Sequence, residues 1–174
     1  DPAKGRAEYL PTLERPVILK WPLRNIHTDT AWYGDISIDK TISVMPGAHL
    51  TLMPNTKALF SQGAGLHVKG KITAKGLKNA GITFTSLKGE ENSAWDEILL
   101  DHADGSEFAG CVFENATWAL HVHFTSLKVN GCTFIKNYGG MRFRSGPIEI
   151  TNSTFRENEI GLRSNAGNAL ITGN

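Results

Sequence analysis

The stretch Cys111-Val112-Phe113 returns as Cys132-Thr133-Phe134 and again as Ser153-Thr154-Phe155, so its phenylalanines recur every 21 residues. Seven residues after each phenylalanine comes a second apolar residue, namely Leu120, Met141 and Leu162. A third set consists of the pairs Leu127/Val129, Ile148/Ile150 and Ala169/Ile171. Apolar residues at alternate positions are the pattern of a strand, and these runs are too short for helices. Each repeat therefore predicts three short strands separated by turns.

The first half of the chain repeats more loosely, at about 24 residues. Ile42/Val44 returns as Leu66/Val68, and Ala58/Phe60 returns as Ile82/Phe84. Repeats of three short strands bury their apolar residues by coiling and stacking, which places equivalent strands about 4.8 Å apart. We therefore predict an all-β fold, a right-handed single-stranded parallel β-helix, which is a solenoid of about six coils with three strands per coil. An antiparallel β-sandwich is the alternative, but it does not require a fixed 21-residue pitch.

The stretch from Ala31 to Asn174 resembles bacterial exported right-handed parallel β-helix repeat proteins of the pectate-lyase-like superfamily. The residues that carry the resemblance are Trp32-Tyr33-Gly34-Asp35-Ile36, the stretch Gly47-Ala48-His49-Leu50-Thr51-Leu52-Met53-Pro54-Asn55-Thr56, the Ile82-Thr83-Phe84-Thr85-Ser86 strand and the phenylalanine repeats. The resemblance implies the fold and a location that is secreted, periplasmic or at the bacterial cell surface. Because the superfamily includes lyases, hydrolases, epimerases and adhesins, it does not choose an activity.

Two parts of the chain lie outside the repeat. Residues 1–30 contain four prolines and no repeat, and we predict an extended arm that caps the β-helix of residues 31–174. The chain stops at Asn174 without a polar cap, so we expect either a natural protein that continues or end-to-end self-association through the C-terminal coil. A polar segment around Lys88–Ser93 lengthens one coil by seven residues. It is either a surface loop or a wall beside a binding groove.

The composition excludes several classes of protein. The chain has 174 residues and a net charge of +1, which suggests one domain and gives no argument for nucleic-acid binding. Its apolar runs are too short to form a transmembrane segment. Cys111 and Cys132 occupy the same inward position of successive coils, and we predict two buried free thiols because parallel Cβ vectors do not favour a disulfide. Asn137 and Asn158 are predicted to form an asparagine ladder at a corner.

One outward face of the predicted solenoid concentrates polar and charged residues. The 21-residue spacing stacks His121, Arg142 and Arg163 in one outward column and His123, Arg144 and Asn165 in a second. In the preceding coil, Asp101 lies beside His123, and Glu97 is the next outward residue along the strand. The candidate ligand-binding residues are therefore Glu97, Asp101, His121, His123, Arg142, Arg144 and Arg163. Trp95 and Trp118 lie near the corners that flank this face, where they either stack on sugars or pack in the core.

This face favours an anionic ligand. Arg142 over Arg163 is destabilising unless an anion lies between them, and the planar guanidinium group suits carboxylate or phosphate. The alternative is a solvated face on which outside carboxylates balance the charge. We predict an extracytoplasmic binding or interaction protein whose partner is an anionic polysaccharide or a cell-envelope protein.

Catalysis and metal binding are weaker hypotheses for the same face. A polysaccharide lyase or epimerase acting on uronates needs a base and cations that stabilise the carboxylate, and His121 or Arg142 are the candidates for the base. An inverting hydrolase is disfavoured, because Glu97 and Asp101 would lie about 13 Å apart where roughly 6.5–9.5 Å is needed. His121, His123 and Asp101 are weak candidates for metal ligands. The sequence predicts no metal and no cofactor.

Overall fold

The computed structural model describes residues 18–87 and 94–174, and the regular structure of these residues consists of β-strands. The strands are β1 (Leu19–Lys20), β2 (Asn25–Ile26), β3 (Thr30–Trp32), β4 (Asp35–Ile38), β5 (Ile42–Val44), β6 (His49–Leu52), β7 (Lys57–Phe60), β8 (Leu66–Val68), β9 (Lys71–Lys75), β10 (Ile82–Ser86), β11 (Trp95–Asp101), β12 (Ser106–Ala109), β13 (Cys111–Glu114), β14 (Ala116–His123), β15 (Leu127–Asn130), β16 (Thr133–Ile135), β17 (Gly139–Arg144), β18 (Ile148–Thr151), β19 (Thr154–Arg156), β20 (Ile160–Ser164) and β21 (Ala169–Thr172). Every third strand belongs to the same sheet.

The strands form three parallel sheets of seven strands each. The first sheet has the order β1-β4-β7-β10-β13-β16-β19, the second β2-β5-β8-β11-β14-β17-β20 and the third β3-β6-β9-β12-β15-β18-β21. Each turn of the chain contributes one strand to each sheet. The predicted all-β parallel solenoid with three strands per coil is therefore confirmed.

The structure has about seven turns, and the predicted number of about six was too low. The additional turn begins within the segment that the sequence analysis assigned to the arm, where β1 and β2 pair in parallel with the next turn. These strands have two residues each. A two-residue strand contains no apolar alternation, so this turn left no repeat in the sequence.

A column of stacked phenylalanine rings fills the core behind the first sheet. The ring centroids of Phe84 and Phe113 are 4.9 Å apart, those of Phe113 and Phe134 are 4.7 Å apart, and those of Phe134 and Phe155 are 4.5 Å apart. The planes of successive rings differ by 9° or less. Parallel pairing in register brings the rings face to face, which confirms the column predicted from the 21-residue pitch.

One predicted pairing in the first half was wrong. Phe84 pairs with Ala58 rather than with Phe60, and Ser86 takes the place beside Phe60. A tight turn closed by a bridge between Leu77 and Ala80 lies between the two strands. It lengthens this coil by two residues relative to the spacing that the sequence suggested.

The cysteine and asparagine columns are confirmed. Cys111 and Cys132 are buried and free, and each thiol lies against backbone carbonyl oxygens. The contact with the Cys132 thiol and burial raise the pKa of the Cys111 thiol well above its usual value. The side-chain amide of Asn137 donates to the side-chain oxygen of Asn158 at 3.0 Å and to a backbone carbonyl of the preceding coil. The column thereby satisfies polar groups at the corner.

The two segments predicted outside the repeat are only partly described. Residues 1–17 of the arm and residues 88–93 of the insertion lie outside the described ranges. In the last turn, Leu170 is 58% and Ile171 is 47% exposed. The described part of the chain has no helix that is long and apolar enough to cross a membrane.

Candidate functional site

The second sheet brings the predicted outward residues into two columns. Pairing of β11, β14, β17 and β20 places His121 beside Arg142, and Arg142 beside Arg163. In the second column, Asp101 lies beside His123, and His123 beside Arg144. The alternation of inward apolar and outward polar residues along each strand fixes these positions. The first predicted column is confirmed in full, and the second is confirmed as far as Arg144.

A β-bulge brings Glu97 against the first column. The register of β11 and β14 shifts between Glu97 and Ile98, so Glu97 pairs with Trp118. From there its carboxylate lies 3.0 and 3.1 Å from Nδ1 of His121 and 2.9 Å from Nη2 of Arg142. Bulges re-aim side chains in this way. The side chains of Glu97 and His121 are only 17% and 16% exposed, so this contact is largely shielded from water.

One carboxylate oxygen of Glu97 lies within hydrogen-bond distance of two nitrogen atoms, Nδ1 of His121 and Nη2 of Arg142. Arg142 can only donate, and its Nη2 also lies 2.9 Å from Nδ1 of His121 because both groups converge on the same oxygen. With its proton on Nδ1, His121 donates to Glu97 and leaves Nε2 as an acceptor. Burial alone would raise the pKa of Glu97, but the contacts with His121 and Arg142 outweigh it and lower the pKa below its usual value.

Trp118 supports Arg142 from below. The guanidinium carbon of Arg142 lies 4.8 Å from the centroid of the indole ring, which is the geometry of a cation–π contact. The indole lies over Gly139 of the neighbouring strand, where a Cβ atom would come within 2.2 Å of the ring. Glycine at position 139 therefore permits the flat indole on which Arg142 rests. Trp95, by contrast, is fully buried and stacks on Phe60 in the core.

A pocket of about 350 Å³ opens over the two columns. Its lining residues are His121, His123, Arg142, Phe143, Arg144, Arg163 and Asn165. The lining contains three arginines and two histidines but no carboxylate from the described residues. Arg142 is the arginine paired with an acid, whereas Arg144 and Arg163 have no carboxylate partner in residues 18–87 and 94–174. The pocket therefore has a net positive charge.

Two of the predicted ligand-binding residues do not line the pocket. Glu97 lies beneath its edge and holds His121 and Arg142. Asp101 lies beside His123 on the neighbouring strand, and its carboxylate is 2.8 Å from Nδ1 of His102. Both acids interact with neighbouring side chains, and a direct contact between either acid and a ligand stays a prediction.

The protonation of His123 follows from its surroundings. Burial, His121 and Arg144 lower the pKa of His123 below 6.5, although Asp101 acts in the opposite direction. The imidazole is therefore mostly neutral near neutral pH, and it both donates and accepts hydrogen bonds.

The weak metal hypothesis finds no support in the geometry. No three histidine, cysteine, aspartate or glutamate side chains of the described residues lie close enough to hold a metal ion. Nδ1 of His121 already contacts Glu97, and Asp101 is turned towards His102.

A larger groove of about 600 Å³ lies on the third sheet, away from the arginines. Its charged lining residues are Glu107, Lys128 and Glu149, which alternate in sign along the rod. Opposite charges side by side largely cancel, so this groove lacks the one-sided charge of the pocket on the second sheet.

The sequence reasoning missed His102 and Phe124. Both occupy the corner that directly follows the second column, and both side chains are exposed. The ring of Phe124 lies against Arg144, and the ring of His102 stacks on Phe124. Their equivalent positions in successive coils were visible in the sequence. Their contacts depend on the backbone conformation at the corner, which the sequence pattern does not reveal.

Comparisons with known proteins add little to this description. No protein family matches the chain, and no solved structure matches it. Protein bark beetle of Drosophila melanogaster is 35% identical over 72 residues, which cover 39% of this chain and 2% of that protein. A match of this extent does not show a family. The pectate-lyase-like resemblance and the bacterial origin therefore stay predictions.

Proposed function

We propose that the protein is an extracytoplasmic binding protein that holds an anionic glycan in the pocket on its second sheet. The observation that carries the proposal is the charge of the pocket, in which Arg144 and Arg163 have no acid partner among the described residues. Arg142 and Arg163 lie on adjacent strands, about 4.8 Å apart along the rod. Their repulsion is relieved when a carboxylate lies between them, and the planar guanidinium forks match the two oxygens of such a group.

The other lining residues favour a sugar over a bare inorganic anion. Neutral His123 and the amide of Asn165 both donate and accept hydrogen bonds, as sugar hydroxyl groups require. Arginines beside neutral polar groups match a uronate, which carries a carboxylate and hydroxyl groups on one ring.

A second candidate function is a polysaccharide lyase or epimerase acting on uronates. The contact between Glu97 and His121 favours it, because a carboxylate that accepts from Nδ1 leaves Nε2 free to take a proton. His121 would remove the proton from the carbon beside the uronate carboxylate, and the arginines would stabilise the negative charge that develops on the carboxylate oxygens. Arg142 is the weaker candidate for the base, since its guanidinium group already donates a hydrogen bond to Glu97.

Two other partners remain predictions. A cell-envelope protein with an acidic surface would satisfy the same arginines. End-to-end self-association through the last turn would cover Leu170 and Ile171, which are exposed. The secreted, periplasmic or cell-surface location is likewise part of the proposal.

The test is calorimetric titration with oligomers of galacturonate, of alginate and of a glycosaminoglycan, alongside methyl-esterified oligogalacturonate. We expect binding of at least one acidic oligomer and a loss of about tenfold or more in Arg163→Gln, since a hydrogen bond to a charged group contributes about 1.5–3 kcal/mol. Lys75→Gln is the matched control, because Lys75 pairs with Glu107 on the third sheet. Equal affinity for the esterified oligomer would refute the proposal.

Ultraviolet absorbance of unsaturated uronates and nuclear magnetic resonance of the sugars test the second candidate on the same samples. Elimination or epimerisation that disappears in His121→Gln and persists in Lys75→Gln would establish an enzyme. Binding without either reaction would leave the binding function alone.

A further inference from the structure

The corner after the second outward column imposes a left-handed backbone in four successive coils. His102, Phe124, Ser145 and Ala166 occupy it with φ values of 57°, 44°, 64° and 128°. Glycine and asparagine adopt such angles at little cost, and a bulky side chain does so only under strain. Phe124 is thus a costly residue for this position. Its ring is also 47% exposed, so burial does not explain why phenylalanine stands there.

The contacts of the Phe124 ring supply a reason. On one side the ring of His102 stacks on it, with centroids 5.2 Å apart and planes inclined by 26°. The guanidinium carbon of Arg144 lies 5.6 Å from its centroid. His102 is in turn held by the carboxylate of Asp101 at 2.8 Å. These four side chains form a supported stack that begins at Asp101 and ends at an arginine of the pocket.

We propose that Phe124 is a positioning residue that holds Arg144 at the edge of the pocket, an inference that rests on the proposed anion-binding function. An acidic partner would also fix Arg144, but it would cancel the charge that the ligand needs. An aromatic ring orients a cation and leaves its charge available. Trp118 supports Arg142 through the same kind of contact, and Arg142 precedes Arg144 on the same face of the same strand.

Preorganisation is the physical benefit of this arrangement. A long arginine side chain that moves freely loses conformational freedom when a ligand orders it, which weakens binding. A strained backbone that persists at a binding site is typical of residues retained for function rather than for stability.

Phe124→Asn separates the effect of the ring on Arg144 from the effect of the strained backbone, because asparagine tolerates the left-handed backbone but has no ring. We expect the affinity for hexagalacturonate, measured by calorimetry, to fall roughly two- to fivefold, the range that an exposed cation–π contact supplies. The midpoint of urea unfolding should stay the same or rise. Phe124→Tyr should restore the affinity. Tyr33→Asn is the control for loss of an exposed ring, since Tyr33 is 75% exposed and lies outside the pocket lining.

The result that overturns the proposal is an unchanged affinity in Phe124→Asn, or an affinity in Phe124→Tyr as low as that of the asparagine variant. If the wild-type protein binds no acidic oligomer, the proposed function fails, and a double-mutant cycle in urea decides the positioning role. Phe124→Asn and Arg144→Gln should then be coupled by roughly two- to fivefold in the unfolding equilibrium constant. Additive effects would show that the ring does not hold the arginine.

Discussion

Replacing Glu97 with glutamine removes a charge that is largely shielded from water while keeping the size of the side chain. The glutamine oxygen can still accept hydrogen bonds from His121 and Arg142, so the variant loses charge assistance rather than the contacts themselves. Charge-assisted hydrogen bonds are roughly twice as strong as neutral ones, whose net contribution is about 0.5–1.5 kcal/mol. With two donors at the carboxylate, the expected loss of unfolding free energy at neutral pH is about 1–3 kcal/mol.

The pH dependence gives this prediction a second signature. The pKa of Glu97 in the folded protein is below 4.5, so its contribution to stability is complete above pH 4.5 and is lost as the pH falls through the folded pKa. Urea unfolding should therefore show a gap between wild type and Glu97→Gln that is widest near neutral pH and closes in acid. Tryptophan fluorescence can follow the transition, because Trp118 lies next to the altered site.

Glu157→Gln is the matched control. Its carboxylate lies 2.7 Å from Arg156, which is closer than any contact of Glu97, but the two side chains are 53% and 56% exposed. We expect a change within about 0.5 kcal/mol, because exposed ion pairs contribute little. Equal losses in the two variants would refute the reasoning that burial makes the Glu97 contacts strong, and so would a pH-independent gap for Glu97→Gln.

Three further predictions concern the core, the pocket and the thiols. Phe134→Ala should lower the unfolding free energy by about 3–5 kcal/mol, because the Phe134 ring is fully buried between two other phenylalanine rings. Thr133→Ala, on the outer face of the same strand, should change the unfolding free energy by less than about 0.5 kcal/mol. Similar urea midpoints for the two variants would contradict the stacked core. A bound carboxylate should raise the lowered pKa of His123, so the affinity for an acidic oligomer, measured by calorimetry, should increase as the pH falls below 6.5. If the His123→Gln variant shows the same pH profile, His123 is not the cause. Thiol titration should find two reactive groups per chain in denaturant and almost none in the native protein, and fast native labelling would show that Cys111 and Cys132 are more accessible than the structure indicates.

The candidate site was predictable where the repeat is regular. From residue 111 onward the 21-residue pitch fixes which residues are neighbours, and the columns ending in Arg163 and Asn165 follow from the sequence by counting. Irregular spacing is where prediction failed. The two-residue error at Phe84 and the uncounted first turn both occur where the coil length changes or a strand is too short to show alternation.

The sequence by itself therefore determined the solenoid, its inward columns and the face on which the charged residues gather, because alternation and pitch are local properties of the chain. The tertiary structure decided what those charged residues do. A bulge carries Glu97 to Arg142, and a left-handed corner places Phe124 under Arg144. Asp101 contacts His102 and does not line the pocket that its position in the column suggested. These outcomes depend on side-chain directions and backbone angles set by packing between coils, and such contacts leave no periodic signal in the sequence.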